Sequence, residues 1–436
     1  ASADCRRMAA HALMALAPAG AKFLFIHQSW PSQFDAAARV LLADGRHELA
    51  VLMPCTRKGG WKEMLPGVRM EYYVSAPPGK PASTHNGKMH RGLVVAQAAR
   101  RLLASQGYRP DVIVGHPGWG EMLFLNKVEG WEAVPQLHYV EWYFTADGGS
   151  NLLRHFSTHK SNLDMLPGLN DMVAGISPTR YQWGRSPLLG RRKTHVQFDG
   201  VDVRFFSPTP AGATEELRLP NGRVVTADDE VISFMNRNFE PMRGIHRFVE
   251  ALEVVFRARP KALVAMVGLD RAQPKYGAAR PDGQPWLAFL KQNHSTLDWS
   301  RVHELGKVTR RQVQQLMRVS RVHVYLTAPF VLSWSMIEAM STGCLVLGSA
   351  TPPVIEHLSH GHNGLLVPFN DAQALATRMV DALGRPASAY ARLRANARQY
   401  AVTNYDAATL YPARAQFIEA FVDSTEAHCC LAPRPH

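Results

Sequence analysis

Cysteine is scarce and unpatterned in this chain. Five residues of 436, Cys5, Cys55, Cys344, Cys429 and Cys430, show no CxxC pair and no spacing to histidine of the kind a zinc site uses. That argues against a disulfide framework and a structural zinc motif, and it fits a reducing cytoplasm. No stretch reaches the roughly 18 uninterrupted apolar residues that a membrane span needs. Low-complexity tracts and fixed-period repeats are also missing, which leaves an ordinary globular protein. Carboxylates are the minority charge, 36 Asp and Glu against 49 Lys and Arg, for a formal charge of +13. An excess of that sign attracts nucleic acid, an anionic membrane face or phosphorylated substrates. The cations are dispersed and never run five together, so a dedicated nucleic-acid tail is set aside and the last two partners remain. An Asp-x-Asp element is absent as well, and the reading therefore requires no bound metal.

At this length two domains are expected. Residues 1–21 read as an amino-terminal extension; Arg6-Arg7 before MAAHALMALAPAGA resembles a weak signal peptide, interrupted by His11. KFLFIH, Lys22 to His27, is a compact strand, Asp35 to Asp44 a helix, and HELAVLMP a second strand, which together open a βαβ arrangement. A Gly-rich phosphate turn is lacking after the first strand, where Trp30-Pro31-Ser32-Gln33 stands instead, so the first domain is not expected to hold a diphosphate. Asn86 to Gln106 reads as a helix and Asp111 to Val114 as a strand. That strand ends at GHPGWGE, residues 115–121, where His116 directly follows a core strand. A histidine in a turn is more often structural than catalytic, but a strand end is where parallel sheets put ligands. Ala133 to Phe144 reads as a strand carrying His138 and Glu141; a catalytic pair is one reading, and a satisfied core pair is the expected one. SPTRYQW, 177–183, suggests a helix capped by Ser177.

A strand is expected from Glu230 to Met235, followed by NRNFEPMRG. Arg237 and Arg243, six apart around a Pro-containing turn between strand and helix, make a cradle for a diphosphate; the plainer alternative is two solvated loop cations. Leu269 to Pro285 is a long polar loop of the kind that faces a ligand. Val324 to Leu347, VYLTAPFVLSWSMIEAMSTGCLVL, reads as strand, loop, helix, turn and strand. Ser333 and Ser335 suit the helix start, and Thr342-Gly343 its end. Its one carboxylate, Glu338, sits among apolar and small residues; on spacing alone such a residue is ordinarily solvated. These pieces describe a two-domain α/β protein with a cationic loop, a carboxylate-bearing crossover and a strand-end histidine, which suggests an anionic nucleotide ligand.

Several segments resemble glycosyltransferase family 4. Its signature is two glutamates separated by seven residues and followed by Ala-Met-small-x-Gly; Glu338, Ala339, Met340 and Gly343 match the second half. Phe330 stands at the first glutamate. DVIVGH is similar to the family's Asp-Val-Val-His-x-His strand end, with His116 at the second histidine and Val114 at the first. HQSWPSQF is similar to the opening of one subgroup, DGVDVRFFSP (199–208) to the element that closes the first domain, and NRNFEPMRG to the Gly-Arg-x-x-x-x-Lys-Gly loop, with Arg243 in place of Lys. The resemblance spans roughly residues 22–420. It implies the GT-B architecture, two Rossmann-like domains facing a deep cleft, with an acceptor domain at 22–205, a donor domain at 206–400 and a carboxyl-terminal helix at 401–425 crossing back.

It further implies a retaining, metal-independent transfer of sugar from a nucleotide-diphosphate sugar, UDP or GDP, to an acceptor hydroxyl. Glu338 would hold the ribose, Arg237 and Arg243 the diphosphate, and the turn at Val308 the base through its backbone. His116 would lie beside the reacting carbon. Ser333 or loop amides would take over the contact to the sugar that Phe330 cannot make. A phenyl ring turned into the core is the favoured reading of that position, so Phe330→Glu is expected to bury an unpaired charge. The acceptor, whether glycan, lipid-linked or small molecule, is not identified; contact with an anionic membrane is a further expectation and nucleic acid is not. A sugar-nucleotide epimerase of the same architecture and a non-catalytic sugar-nucleotide sensor stay open as alternatives.

Overall fold

The computed structural model describes residues 20–55, 65–74, 85–142, 165–274, 276–277 and 279–422. The extension and its signal-like segment fall outside the described residues, apart from its last two. By internal contacts the chain divides into two units, one ending at Asp199 and resumed at Ala408, the other running from Gly200 to Ala407.

In the first unit the apolar runs become parallel strands: β1 (Lys22–Ile26), β2 (Glu48–Pro54), β3 (Arg69–Tyr73), β4 (Val112–Gly115), β5 (Gln136–Tyr139), β6 (Ala174–Ser177) and β7 (Thr194–Val196). They lie in the order β3-β2-β1-β4-β5-β6-β7. Alternate residues of β1 serve opposite faces: Phe23 and Phe25 pack with Val51 and Val112, while Leu24 and Ile26 pack with Leu52, Val95 and Ala98. Strand order reverses between β1 and β4, so the loops after these two strands, with His27 and His116, flank the crevice where open parallel sheets bind ligands.

Two expectations are corrected here. The strand with His138 is only four residues long, and 143–164, including the end of the expected strand, lie outside the described residues. The helix at Arg180–Arg185 is capped by Thr179, whose hydroxyl accepts from the Gln182 N–H; Ser177 instead ends β6. The reason is geometric, since the cap needs the residue immediately before the first helical turn.

The second unit begins with a small hairpin, β8 (Leu217–Arg218) and β9 (Val224–Val225). A parallel sheet follows: β10 (Val231–Asn238), β11 (Leu263–Leu269), β12 (Val302–Gly306), β13 (Val322–Tyr325), β14 (Val346–Ser349) and β15 (Leu365–Val367), in the order β12-β11-β10-β13-β14-β15. Its core is clamped by the helices Ile245–Ala258 and Ala372–Gly384, with Phe234 stacked on Phe248 at 4.5 Å. The switch point falls between β10 and β13. Carbonyls of the 199–208 element are captured by this unit: Ser341 Oγ donates to Phe206 O at 2.6 Å, Arg318 Nε to Ser207 O at 2.8 Å and Arg398 Nη1 to Val203 O at 2.7 Å.

The carboxyl-terminal helix expected at 401–425 is instead parts of two helices, Ala391–Tyr405 and Ala407–Glu419, broken at Asp406. There Val201 N–H donates to Tyr405 O at 2.8 Å and Ala407 N–H to Val201 O at 2.9 Å, a strand-like bridge that a helical Asp406 could not make. The last helix packs on the first unit. Arg414, buried, meets Asp199 at 3.1 Å and Phe198 O at 2.9 Å, and Glu419 meets His47 at 2.9 Å. No helix among the described residues is long and apolar enough to cross a membrane.

Candidate functional site

In the second unit the loops after β10 and β13 meet at Arg243. Strand β10 carries one extra residue against β11, between Met235 and Asn238, so Arg237 sits on a bulge and is exposed at the strand end. The chain then turns through Pro241–Arg243 and closes on Gly244 at φ 73°, where a Cβ would come within 2.6 Å of Leu326. Only glycine fits that approach, and the turn directs Arg243 inward. Arg243 is 6% exposed. Its Nη1 donates to Val331 O at 2.8 Å and to Thr327 Oγ1 at 3.0 Å, and lies 3.4 Å from the Tyr325 hydroxyl. Tyr325 in turn accepts from Ser333 N–H at 2.6 Å. The loop from Thr327 to Ser333 is therefore pinned to the arginine and to the end of β13.

Among the described residues no carboxylate forms an ion pair with Arg243, and Nε and Nη2 make no hydrogen bond. Two aromatic rings face the guanidinium instead, Phe330 at 5.3 Å and Tyr276 at 5.7 Å, themselves edge-to-face at 4.5 Å. Tyr276 comes from the long loop after β11, anchored where its N–H donates to buried Glu240 at 3.0 Å. Phe330 is 6% exposed and packs in this cluster.

Glu338 lies on the helix Trp334–Ser341, which starts after Ser333 and ends at Gly343, φ 71°. The Ser333 side chain makes no capping bond; its hydroxyl accepts from Ser335 Oγ at 3.2 Å. The Glu338 carboxylate is half-buried and makes no hydrogen bond or ion pair among the described residues. Desolvation pushes its pKa up to about 7, opposed only by the nearby Arg310 guanidinium. Arg310 opens the helix Arg310–Val319, at a positive dipole end that disfavours a cation, and stacks over Phe205 and Phe206 at 5.4 and 5.2 Å. Val308, just ahead of that helix, packs against the buried cluster that includes Val267 and Leu316.

Glu338 yields a stability test. A carboxyl whose folded pKa is raised holds its proton more tightly in the native state, so its ionisation costs stability as pH climbs from the ordinary 4.5 toward about 7. Glu338→Gln escapes that cost. Its melting temperature relative to wild type should rise between about pH 5 and about pH 8 in scanning calorimetry without ligand. A pH-independent loss would instead make Glu338 a structural residue.

In the first unit His116 is buried at the end of β4. Its Nδ1 accepts from Gly118 N–H at 2.9 Å, and a Cβ at Gly118 would meet the imidazole Cε1 at 2.8 Å. With Nδ1 an acceptor, the proton resides on Nε2, which donates to Glu141 Oε2 at 3.2 Å. Burial, and secondarily Lys88, push the pKa down to about 3. This histidine is a neutral, oriented hydrogen-bonding group. The expected His138–Glu141 core pair is corrected: His138 Nε2 meets Gln136 Oε1 at 3.4 Å, while Glu141, beyond the strand, reaches His116. Residues three apart across a strand end do not share a face.

Sequence reasoning missed Tyr276, Tyr325, Thr327 and Arg310. The first lies in a loop without periodicity, and the next two look like ordinary strand-end residues. Arg310 had a signal, the Thr309–Gln312 capping box that fixes it at the first helical position.

Comparison with known families gives two matches. Residues 46–206 match the glycosyl transferase family 4 group and residues 222–400 the glycosyl transferases group 1. No curated protein matches the sequence. Among solved structures, Anabaena HepE in complex with UDP-glucose is similar at TM-score 0.64 and 17% identity, covering 92% of this chain and 99% of that one. Sucrose-phosphate synthase from Thermosynechococcus elongatus gives TM-score 0.66 at 18% identity, with 91% and 98% covered. A trehalose-6-phosphate protein from E. coli bound with UDP-2-fluoro glucose gives TM-score 0.66 at 13% identity, with 92% and 99% covered. These likenesses establish the fold, two Rossmann-like parallel-sheet units of the GT-B type.

Proposed function

Because the chain belongs to glycosyltransferase family 4, we propose that Arg243 and Glu338 hold the diphosphate and the ribose of its nucleotide-sugar donor. The observation that carries this reading is a pair of uncompensated charges beside one switch point. A buried guanidinium without a carboxylate and a desolvated carboxylate without a donor are each costly in a resting protein. A nucleoside diphosphate supplies what both lack, phosphate oxygens for the cation and paired hydroxyls for the acid. Arg237, exposed on its bulge, adds a second and more screened charge, and the backbone near Val308 takes the base. UDP is the base-bearing group favoured, from the ligands of the similar structures.

The reaction proposed is a retaining transfer. The bond from the sugar's anomeric carbon to the diphosphate oxygen breaks, and an acceptor hydroxyl attacks from the same face and gives up its proton to the departing diphosphate oxygen. Charge then builds on the leaving diphosphate, and Arg243 is the preorganised group that stabilises it. His116 acts on the donor sugar as a neutral hydrogen-bonding group held by Gly118 and Glu141. A glycan, a lipid-linked sugar or a small molecule would bring the acceptor hydroxyl, and the setting proposed is cytoplasmic, with peripheral contact to an anionic membrane face as a further proposal. A thermal-shift panel of UDP, GDP and ADP with their sugars tests the donor assignment: UDP compounds should raise the melting temperature most, and a flat panel would defeat it.

His116→Ala should lower kcat by roughly 10²-fold or more while leaving UDP affinity within about twofold, since the residue is assigned to the sugar and not to the nucleotide. Steady-state kinetics with donor calorimetry reads both quantities. Full activity would return His116 to a structural role.

A further inference from the structure

One corner of the first unit combines exposed leucines with an excess of cations; its nearest carboxylate, Asp171 at the end of the neighbouring helix, accepts from Asn126 Nδ2 at 3.2 Å and Asn170 Nδ2 at 3.1 Å. From Met172 to Phe198 the sequence holds Arg180, Arg185, Arg191, Arg192 and Lys193 and not one Asp or Glu, so five net positive charges of the chain's thirteen fall in 27 residues. Within it the short helix Leu188–Lys193 presents Leu188, 55% exposed, and Leu189, 44% exposed, with Leu166 of the neighbouring helix Leu166–Asp171 at 39%. Arg192 is exposed and makes no ion pair among the described residues.

These leucines are not the consequence of a loose segment. Trp183 Nε1 donates to Arg191 O at 3.1 Å, tying the preceding helix to this one. Lys193 turns inward, and its Nζ donates to Asn170 O and Met172 O, each at 2.8 Å, and to Leu169 O at 3.3 Å. A Cβ at Gly190 would strike Ser186 Oγ at 2.4 Å, so the chain turns back on itself in close contact. The backbone is pinned from both sides while the leucines point outward.

We propose that this surface docks the protein on an anionic lipid bilayer, with Leu188 and Leu189 entering the acyl boundary and Arg185 and Arg192 meeting lipid phosphates. Charge complementarity selects the occupant. A nucleic acid would use the cations but has no place for two adjacent leucines, and a second copy of this chain would bring the same five cations face to face. An anionic bilayer satisfies both features, since apolar side chains enter it and basic ones add to its attraction. The inference gives the peripheral-membrane part of the functional reading a surface and does not depend on the sugar-transfer chemistry.

The test is co-sedimentation of the full chain with vesicles of phosphatidylcholine alone or mixed with phosphatidylglycerol, with UDP binding measured on the same samples. Wild type should partition only onto the mixed vesicles. Arg185→Gln and Arg192→Gln should each weaken partitioning by about fivefold, and the double Leu188→Ser, Leu189→Ser variant by on the order of tenfold, with UDP affinity unchanged in all. Vesicle binding that none of these variants alters overturns the surface while leaving a membrane role, and no vesicle binding overturns both. If RNA binds and the leucine variants do not matter, the patch is a plain polyanion site. If the leucine variants abolish self-association in sedimentation velocity, it is a dimer face.

Discussion

Arg243→Met should weaken UDP binding by roughly ten- to hundredfold in calorimetry, the worth of a charge-assisted hydrogen bond to phosphate lost from a desolvated site. Methionine is chosen because it fills much of the same volume without the charge. The variant also leaves the Val331 carbonyl without its 2.8 Å donor, so the ligand-free protein should lose about 1–3 kcal/mol. That structural cost is distinguishable from the binding effect, because Thr327→Val removes the guanidinium's 3.0 Å bond to the Thr327 hydroxyl without touching the charge. Arg237→Ala should cost less than Arg243→Met, since Arg237 is exposed and its Coulomb attraction is screened. Equal affinities for UDP in wild type and Arg243→Met would remove the arginine from the site.

Phe330→Glu carries the second large effect, and its direction separates this chain from the family pattern. By that pattern, a glutamate at 330 grips the donor sugar, and restoring it should raise turnover. The structure places the ring against Arg243, centroid 5.3 Å from the guanidinium carbon, and against Tyr276. A carboxylate introduced there lands within ion-pair reach of a buried cation that has no carboxylate partner among the described residues. It would compete with phosphate for that cation, and UDP affinity should fall by about tenfold or more. The sequence alone predicts a buried unpaired charge and a damaged fold. With Arg243 beside it the new charge is paired, so the loss of stability should be modest and the loss of binding the larger effect. Phe330→Leu, which keeps the site apolar, should bind UDP nearly as wild type does. Raised turnover in Phe330→Glu with undiminished UDP affinity would show that the ring lines the sugar pocket.

The fold was largely legible because its signals are local and redundant. Short apolar runs such as KFLFIH, HELAVLMP and DVIVG have the length and composition of core strands, and the turn residues between them set the spacing. The residues proposed for the second unit's site could also be singled out in the sequence, since Arg237, Arg243 and Glu338 follow strands in the pattern that parallel sheets use for ligands. What was not legible is how each charge is compensated. That depends on loops meeting in three dimensions: Tyr276 arrives from 33 positions after Arg243, and the phenyl ring at Phe330 faces that arginine rather than the core alone. The His138–Glu141 expectation failed for a related reason. Proximity in sequence suggested a pair, but the strand ended at Tyr139 and left Glu141 able to reach across to His116. Helix caps and breaks likewise turned on few hydrogen bonds, one at Thr179 and two around Asp406.

The central claim is that a nucleoside diphosphate compensates Arg243 and Glu338 together, and proton release on binding tests it most directly. Ribose hydroxyls donating to Glu338 favour its ionised form, and the diphosphate is met by arginine, so the carboxyl should titrate below about 7 once UDP is bound. Calorimetry of UDP binding near pH 6.5, in two buffers of different ionisation enthalpy, should show net proton release in wild type. The Glu338→Gln variant should bind UDP more weakly and lack the part of that release that comes from this carboxyl. UDP binding with the same proton exchange and the same affinity in wild type and Glu338→Gln would contradict the account.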